Sequence, residues 1–180
     1  MKRHVALLRG VNVGGKNRLP MKALVALFTD AGCDDVRTYI QSGNVVFLAK
    51  ATLAKRVPSL VAGAISDRFG YHVPVVSRTA EEIRNVVRGN PFLEVGAHTS
   101  ELHVAFLAKV PAATKVAALD PDRSPPDEFS VRGREIYLRC PNGVARTKLT
   151  NNYFDSKLAT TSTVRKWKTV LKLLELTEDP

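Results

Sequence analysis

Gly10-Val-Asn-Val-Gly-Gly15-Lys16 sets three glycines and a lysine in one short run, directly after the apolar Val5-Ala-Leu-Leu8. It meets the first seven positions of the phosphate-binding pattern G-x-x-x-x-G-K, in which glycine lets backbone N–H groups converge on an anion and lysine adds a point charge. The eighth position breaks the pattern. Asn17 stands where a magnesium-binding hydroxyl is required, and Pro20 delays the helix whose N-terminus should meet the phosphate. No Asp closes a later apolar strand as a Walker B carboxylate would, so a nucleotide hydrolase is not expected. What survives is an anion-binding arrangement of Arg9, Asn12, Gly14, Gly15, Lys16, Asn17 and Arg18. The alternative is a tight strand-to-helix connection that needs glycine only for positive φ.

Other chemistry-bearing residues are sparse. Gln41-Ser42-Gly43-Asn44 puts a serine beside a glycine, but the G-x-S-x-G elbow is missing and the run lies between two β-rich segments, so it reads as a turn. Ser42 and Asn44 would complete a polar pocket if the ligand were a phosphorylated small molecule. His4, His72, His98 and His103 show no H-x-x-x-H spacing and no neighbouring cysteine, so no metal site is expected, and nothing calls for a cofactor. Near the C-terminus, Thr163 to Leu174 has a helical apolar face of Val164, Trp167, Val170, Leu171 and Leu174. Arg165, Lys168 and Lys172 would form a cationic stripe on the other side. Either that stripe tracks phosphates or it is a solvated face.

Charge is segregated along the chain. Of the net +10, residues 1–22 hold six basic groups and no acid, and residues 132–172 hold ten basic groups against two acids. If these segments converge, their field attracts anions such as nucleic acid or phosphorylated metabolites. Arg146, Lys148, Arg165 and Lys168 join the glycine-loop residues, Ser42 and Asn44 as anion-binding candidates. Cys33 and Cys140 are too few and too far apart for a disulfide framework, which suits a cytoplasmic protein. Arg9-Gly10 interrupts the first apolar run, and no stretch approaches the roughly 20 apolar residues of a membrane span.

The elements that must position these residues follow from periodicity. Val5–Leu8 reads as a buried strand, and a helix starts near Pro20 with Leu24, Leu27 and Phe28 on one face. Residues 36–40 and 44–48 form a hairpin, a second helix carries Leu53, Val57, Val61 and Ile65, and residues 73–76 form a strand. Thr79 with Glu82 starts a connecting helix. A strand at 102–107, a short helix at 112–119 and a hairpin of 129–132 with 136–139 restart the pattern. The chain after Gly143 reads as helical, with a last helix from Thr163 to Leu176 and no closing strand. The fold class expected is α+β, with two ferredoxin-like β-α-β-β-α-β subdomains and C-terminal helices. The division expected is 1–78, a connecting helix and loop at 79–100, and 101–180.

Leu8-Arg-Gly-Val-Asn-Val-Gly-Gly-Lys-Asn17, Tyr39-Ile-Gln-Ser-Gly-Asn-Val-Val-Phe47, Asn90-Pro-Phe92, Thr147-Lys-Leu149 and Thr163-Val-Arg165 with Trp167 and Thr169 resemble hallmark segments of the bacterial domain-of-unknown-function family 1697. Where that family usually has Asn after the Arg, this chain has Lys166. The resemblance implies two ferredoxin-like subdomains and no assigned activity. Three function classes are therefore expected to compete: a polyanion-binding, most notably nucleic-acid-binding, protein; an enzyme acting on a phosphorylated small molecule; and a protein-interaction module.

Overall fold

The computed structural model describes residues 1–178. The elements run β1 (Lys2–Leu8), α1 (Met21–Asp30), β2 (Asp34–Tyr39), β3 (Asn44–Ala49), α2 (Ala51–Ala54), α3 (Val57–Phe69), β4 (Val75–Thr79), α4 (Ala80–Arg88), α5 (Pro91–Glu94), β5 (Leu102–Leu107), α6 (Ala113–Ala117), β6 (Glu128–Arg132), β7 (Glu135–Arg139), α7 (Asn151–Leu158), β8 (Ser162–Lys166) and α8 (Trp167–Glu178). The chain divides into two compact units, Met1–Arg84 with the stretch from Leu173 onward, and Asn85–Lys172. No helix among the described residues is long and apolar enough to cross a membrane.

The first unit is a four-stranded antiparallel sheet in the order β2-β3-β1-β4. Alternate residues of the central strands, Ala6 and Leu8 on β1 and Val45 and Phe47 on β3, meet Leu24 and Phe28 of α1 and Val57, Val61 and Ile65 of α3 in one core. Phe28 and Phe47 lie 5.3 Å apart between ring centres. The helices form because their apolar residues recur at three and four positions, which puts them on the face the sheet covers. α4 opens with the expected capping box. Thr79 N–H donates to Glu82 Oε2 at 2.8 Å, and Glu82 N–H donates to Thr79 Oγ1 at 3.1 Å.

The second unit repeats the order as β6-β7-β5-β8, again antiparallel throughout, and both units are consistent with ferredoxin-like subdomains. Its core gathers Ala105, Leu107, Ile136 and Leu138 of the sheet with Leu149 and with Phe154 and Leu158 of α7. Here the expected last helix is corrected. Ser162–Lys166 is β8, the closing strand that periodicity had hidden, and the helix begins only at Trp167. β8 pairs with β5, Thr163 opposite Phe106 and Arg165 opposite Val104. Ladder bonds and the β-branched pair Thr163-Val164 outweigh the helical spacing of the same residues. The strand expected at 73–76 also lies two residues later, at Val75–Thr79.

Candidate functional site

The connection from β1 to α1 is tied down at both ends. Val11 and Leu19 are fully buried in the first unit's core, which stabilises the loop by about 1.5–3 kcal/mol for each side chain. Residues between them rise as a miniature hairpin: Lys16 N–H donates to Val13 O at 3.0 Å, and Asn12 N–H donates to Asn17 O at 3.2 Å. Gly14 and Gly15 form its two-residue tip with φ of +58° and +75°. Two positive φ values at that position are what a type I′ turn needs, and glycine adopts them without a steric penalty. Asn12 and Asn17 also lie in the left-handed region, which Asn tolerates better than most residues.

The side chain of Asn12 locks this hairpin in place. Its Oδ1 accepts from Leu19 N–H at 2.8 Å, while its Nδ2 donates to Leu19 O at 2.9 Å and to Gln41 O at 2.8 Å. Asn17 Nδ2 donates to Gly10 O at 3.1 Å. Both amides thus serve the loop itself, and the second bond of Asn12 Nδ2 ties the hairpin to the β2–β3 turn. That turn is tightly built. Gly43 has φ +74°, and a Cβ there would stand 2.7 Å from Leu8 Cβ, so only glycine fits. Asn44 is buried, its Nδ2 donating to Tyr39 O at 3.2 Å and to Ser42 Oγ at 3.1 Å. Ser42 and Asn44 therefore close the turn that their run signals in the sequence, and neither lines the adjoining groove that a polar pocket for a phosphorylated small molecule would require.

Between hairpin and turn lies an open groove of about 330 Å³ lined by Asn12, Gly15, Arg18, Leu19, Pro20 and Gln41. Arg18 is its one charged lining residue, and Lys16 stands exposed on the hairpin beside Gly15. Among the described residues neither cation is ion-paired, and no internal acceptor meets the N–H groups of Gly14 and Gly15. Arg3, by contrast, is bound to Asp35 at 2.7 Å. The lining holds no Asp, Glu, His or Cys. Such a groove can attract and hold an anion, and its own residues offer no proton-transfer group near pH 7. Arg9, just outside it, leaves β1 with its N–H donated to Pro74 O at 3.0 Å. The seven-position match to a phosphate-binding loop thus folds into a protruding hairpin, with α1 starting only at Met21.

Of the residues expected from sequence, the structure brings Asn12, Gly14, Gly15, Lys16, Asn17 and Arg18 into one small feature. Gln41 belongs with them and was missed, because Gln41-Ser42-Gly43 signals a turn without saying what the turn faces. Arg146, Lys148, Arg165 and Lys168 belong to the second unit. Arg146 and Lys148 are exposed on the loop before α7, where Lys148 N–H donates to Ser124 Oγ at 3.0 Å. Lys168 is exposed on α8. Arg165 differs from the expected stripe: it sits on β8 with its side chain buried, and its guanidinium donates to Thr163 Oγ1 at 2.7 Å and Val164 O at 3.0 Å. Burial pulls its pKa down to about 10. Strand pairing has turned inward a residue that a helix would have left in solvent.

The histidines lie outside the groove. His4 is buried on β1, stacked 5.5 Å from Phe47, and its Nε2 has no partner. Burial holds its pKa below the ordinary value of 6.5, and burial does the same to His103 on β5. No group of three or more His, Cys, Asp or Glu among the described residues could hold a metal ion.

Comparison with known proteins agrees with this fold. The family model described as "Protein of unknown function (DUF1697)" matches residues 1–137. The chain is similar in structure to the conserved bacterial protein SP0830 from Streptococcus pneumoniae, with a TM-score of 0.73, 20% sequence identity and 98% of each chain covered. At that identity the likeness speaks for the fold. No curated protein matches the sequence.

Proposed function

We propose, on the premise that this chain belongs to the DUF1697 family of proteins of unknown function, that it binds phosphate-bearing polyanions, nucleic acid foremost, at the groove beside the glycine hairpin. The observation that carries this reading is a pair of cations with no ion-pair partner among the described residues, Lys16 and Arg18, set around a hairpin that Asn12 holds rigid. A phosphate entering there meets two positive side chains and the N–H groups of Gly14 and Gly15. It displaces no internal hydrogen bond. Preorganisation of this kind removes the ordering cost that a flexible loop would impose on binding. Arg146, Lys148 and Lys168 are proposed as further phosphate contacts of the second unit.

Fluorescence anisotropy with a labelled single-stranded oligonucleotide tests the reading. Affinity should fall steeply with salt, the slope decreasing by about 0.7 for each single-strand phosphate contact removed. Lys16→Ala with Arg18→Ala should therefore flatten the slope by about 1.4. Salt-independent binding, or no binding at low ionic strength, overturns the proposal.

The groove volume of about 330 Å³ favours a second reading, a phosphorylated small molecule, because it falls at the small end of ligand-pocket sizes. A thermal-shift screen of nucleotides and sugar phosphates separates the two. A true ligand at 100 times its dissociation constant stabilises by about 2.7 kcal/mol, and a uniformly flat screen removes the small-molecule reading.

A further inference from the structure

Antiparallel register brings the start of β1 against the ends of both its neighbours, Arg3 lying opposite Leu48 of β3 and His4 opposite Thr79 of β4, where α4 begins. At that end of the sheet is a cavity of about 400 Å³ whose polar lining is Lys2, Arg3, Thr79, Glu81, Arg84 and Thr177, all of the first unit. The glycine hairpin follows the other end of β1, so roughly 20 Å of strand separates the two features. Arg3 is held by Asp35 at 2.7 Å and Arg84 by Glu178 at 3.2 Å, and neither acid lines the cavity. Each pairing steadies a planar group with five N–H donors and leaves others for a ligand. Lys2 and Glu81 are exposed and have no ion-pair partner among the described residues. The two hydroxyls are complementary: Thr79 Oγ1 accepts from Glu82 N–H at 3.1 Å and keeps its own proton, whereas Thr177 Oγ1 donates to Leu174 O at 2.6 Å and keeps lone pairs.

We propose that this cavity is a second ligand site, separate from the hairpin groove, for the phosphomonoester of a small polyol, the class of the sugar phosphates. Lys2, Arg3 and Arg84 take the phosphate, whose oxygens match the guanidinium forks. Glu81 selects the rest of the ligand. Its carboxylate only accepts hydrogen bonds and repels a bare anion, so a polyphosphate or a nucleic-acid backbone would set like charge against it. A hydroxyl on the carbon chain beside the phosphate donates to it instead, and the spare proton of Thr79 and lone pairs of Thr177 suit further hydroxyls. The volume lies in the range of small-molecule pockets. None of this rests on the hairpin reading.

Calorimetric titration of the untagged chain at fixed ionic strength tests this with glycerol phosphate, ribose phosphate, glucose phosphate, inorganic phosphate and glutamate. At least one polyol phosphate should bind about tenfold more tightly than inorganic phosphate, in line with a hydrogen bond to a charged group. Glu81→Ala should bring that ratio close to one, and Arg84→Gln should weaken both probes about tenfold. Glu81 is exposed and the Arg84 ion pair is partly so, and both variants should therefore fold. With 15N-labelled protein, the tightest probe should shift the amides of Lys2, Thr79, Glu81 and Arg84. Equal wild-type affinity for inorganic phosphate, tighter binding of glutamate, an unchanged ratio in Glu81→Ala or a flat panel overturns the proposal. Shifts confined to Gly14, Gly15 and Arg18 overturn it too, by placing the ligand in the hairpin groove. Each of these outcomes leaves the hairpin's own binding of polyanions to be judged by its salt dependence.

Discussion

The two units share one scaffold and differ in its loops. In each, the first strand lies at the centre of a sheet of the same order, and the register agrees position by position: His4 and His103 face Thr79 and Lys166, and Val5 and Val104 face Arg78 and Arg165. Even the turn contact repeats, Leu8 N–H to Gly43 O and Leu107 N–H to Arg134 O, both at 2.8 Å. Yet the first strand-to-helix connection covers residues 9–20 in the first unit and only 108–112 in the second, and the hairpin turn covers 40–43 against 133–134. The groove is lined by the two loops that are longer. The groove is therefore carried by loops set on a sheet whose strand order both units share, the usual division between a common scaffold and variable connections.

Substitutions can break this comparison at its strongest point first. Gly43→Ala drives a Cβ to 2.7 Å from Leu8 Cβ at a positive φ, and should cost about 3 kcal/mol in a denaturant titration. The counterpart Gly133→Ala has φ +60° but meets only Glu135 Oε2 at 3.9 Å, so about 1 kcal/mol is expected. Equal losses would mean that the tighter packing of the first unit's turn has no energetic weight. Asn12→Ala removes three hydrogen bonds and should lower stability by about 2 kcal/mol while opening residues 12–19 to amide hydrogen exchange. Exchange rates unchanged in that segment would show that the loop is held by Val11 and Leu19 alone.

The smallest effect is shared by both units. Burial disfavours the charged imidazoles of His4 and His103, so their folded pKa values lie below 6.5 and the unfolded chain takes up protons first as the pH drops. Stability from this source is complete above pH 6.5 and declines below it. His4→Phe or His103→Phe should each reduce the slope of Tm against pH between 6.5 and 5. A slope unaltered by both would assign acid sensitivity to other groups.

Most of the scaffold could be read from periodicity and turn residues. Leu24, Leu27 and Phe28 marked α1, Thr79 and Glu82 marked the start of α4, and the run 102–107 matched β5 to the residue. β8 could not be read in the same way, because Val164, Trp167, Val170 and Leu171 fit a helix equally well and only pairing with β5 separates the first of them from the rest. The site was legible in part. Glycines with Lys16 and Arg18 named the hairpin, since turn chemistry is local. Gln41 was hidden because its proximity to the hairpin depends on the Asn12 bond across the chain, and Arg165 looked exposed until a strand turned it inward.

The central claim is that the first unit's glycine hairpin, with its neighbouring turn, holds phosphate. Titration of the 15N-labelled protein with a single-stranded oligonucleotide at low salt tests it residue by residue. Amide shifts concentrated in Gly14, Gly15, Arg18 and Gln41, and abolished by Arg18→Ala with Lys16→Ala, are the predicted result. Shifts centred on Arg146 and Lys148, with the hairpin silent, would contradict it.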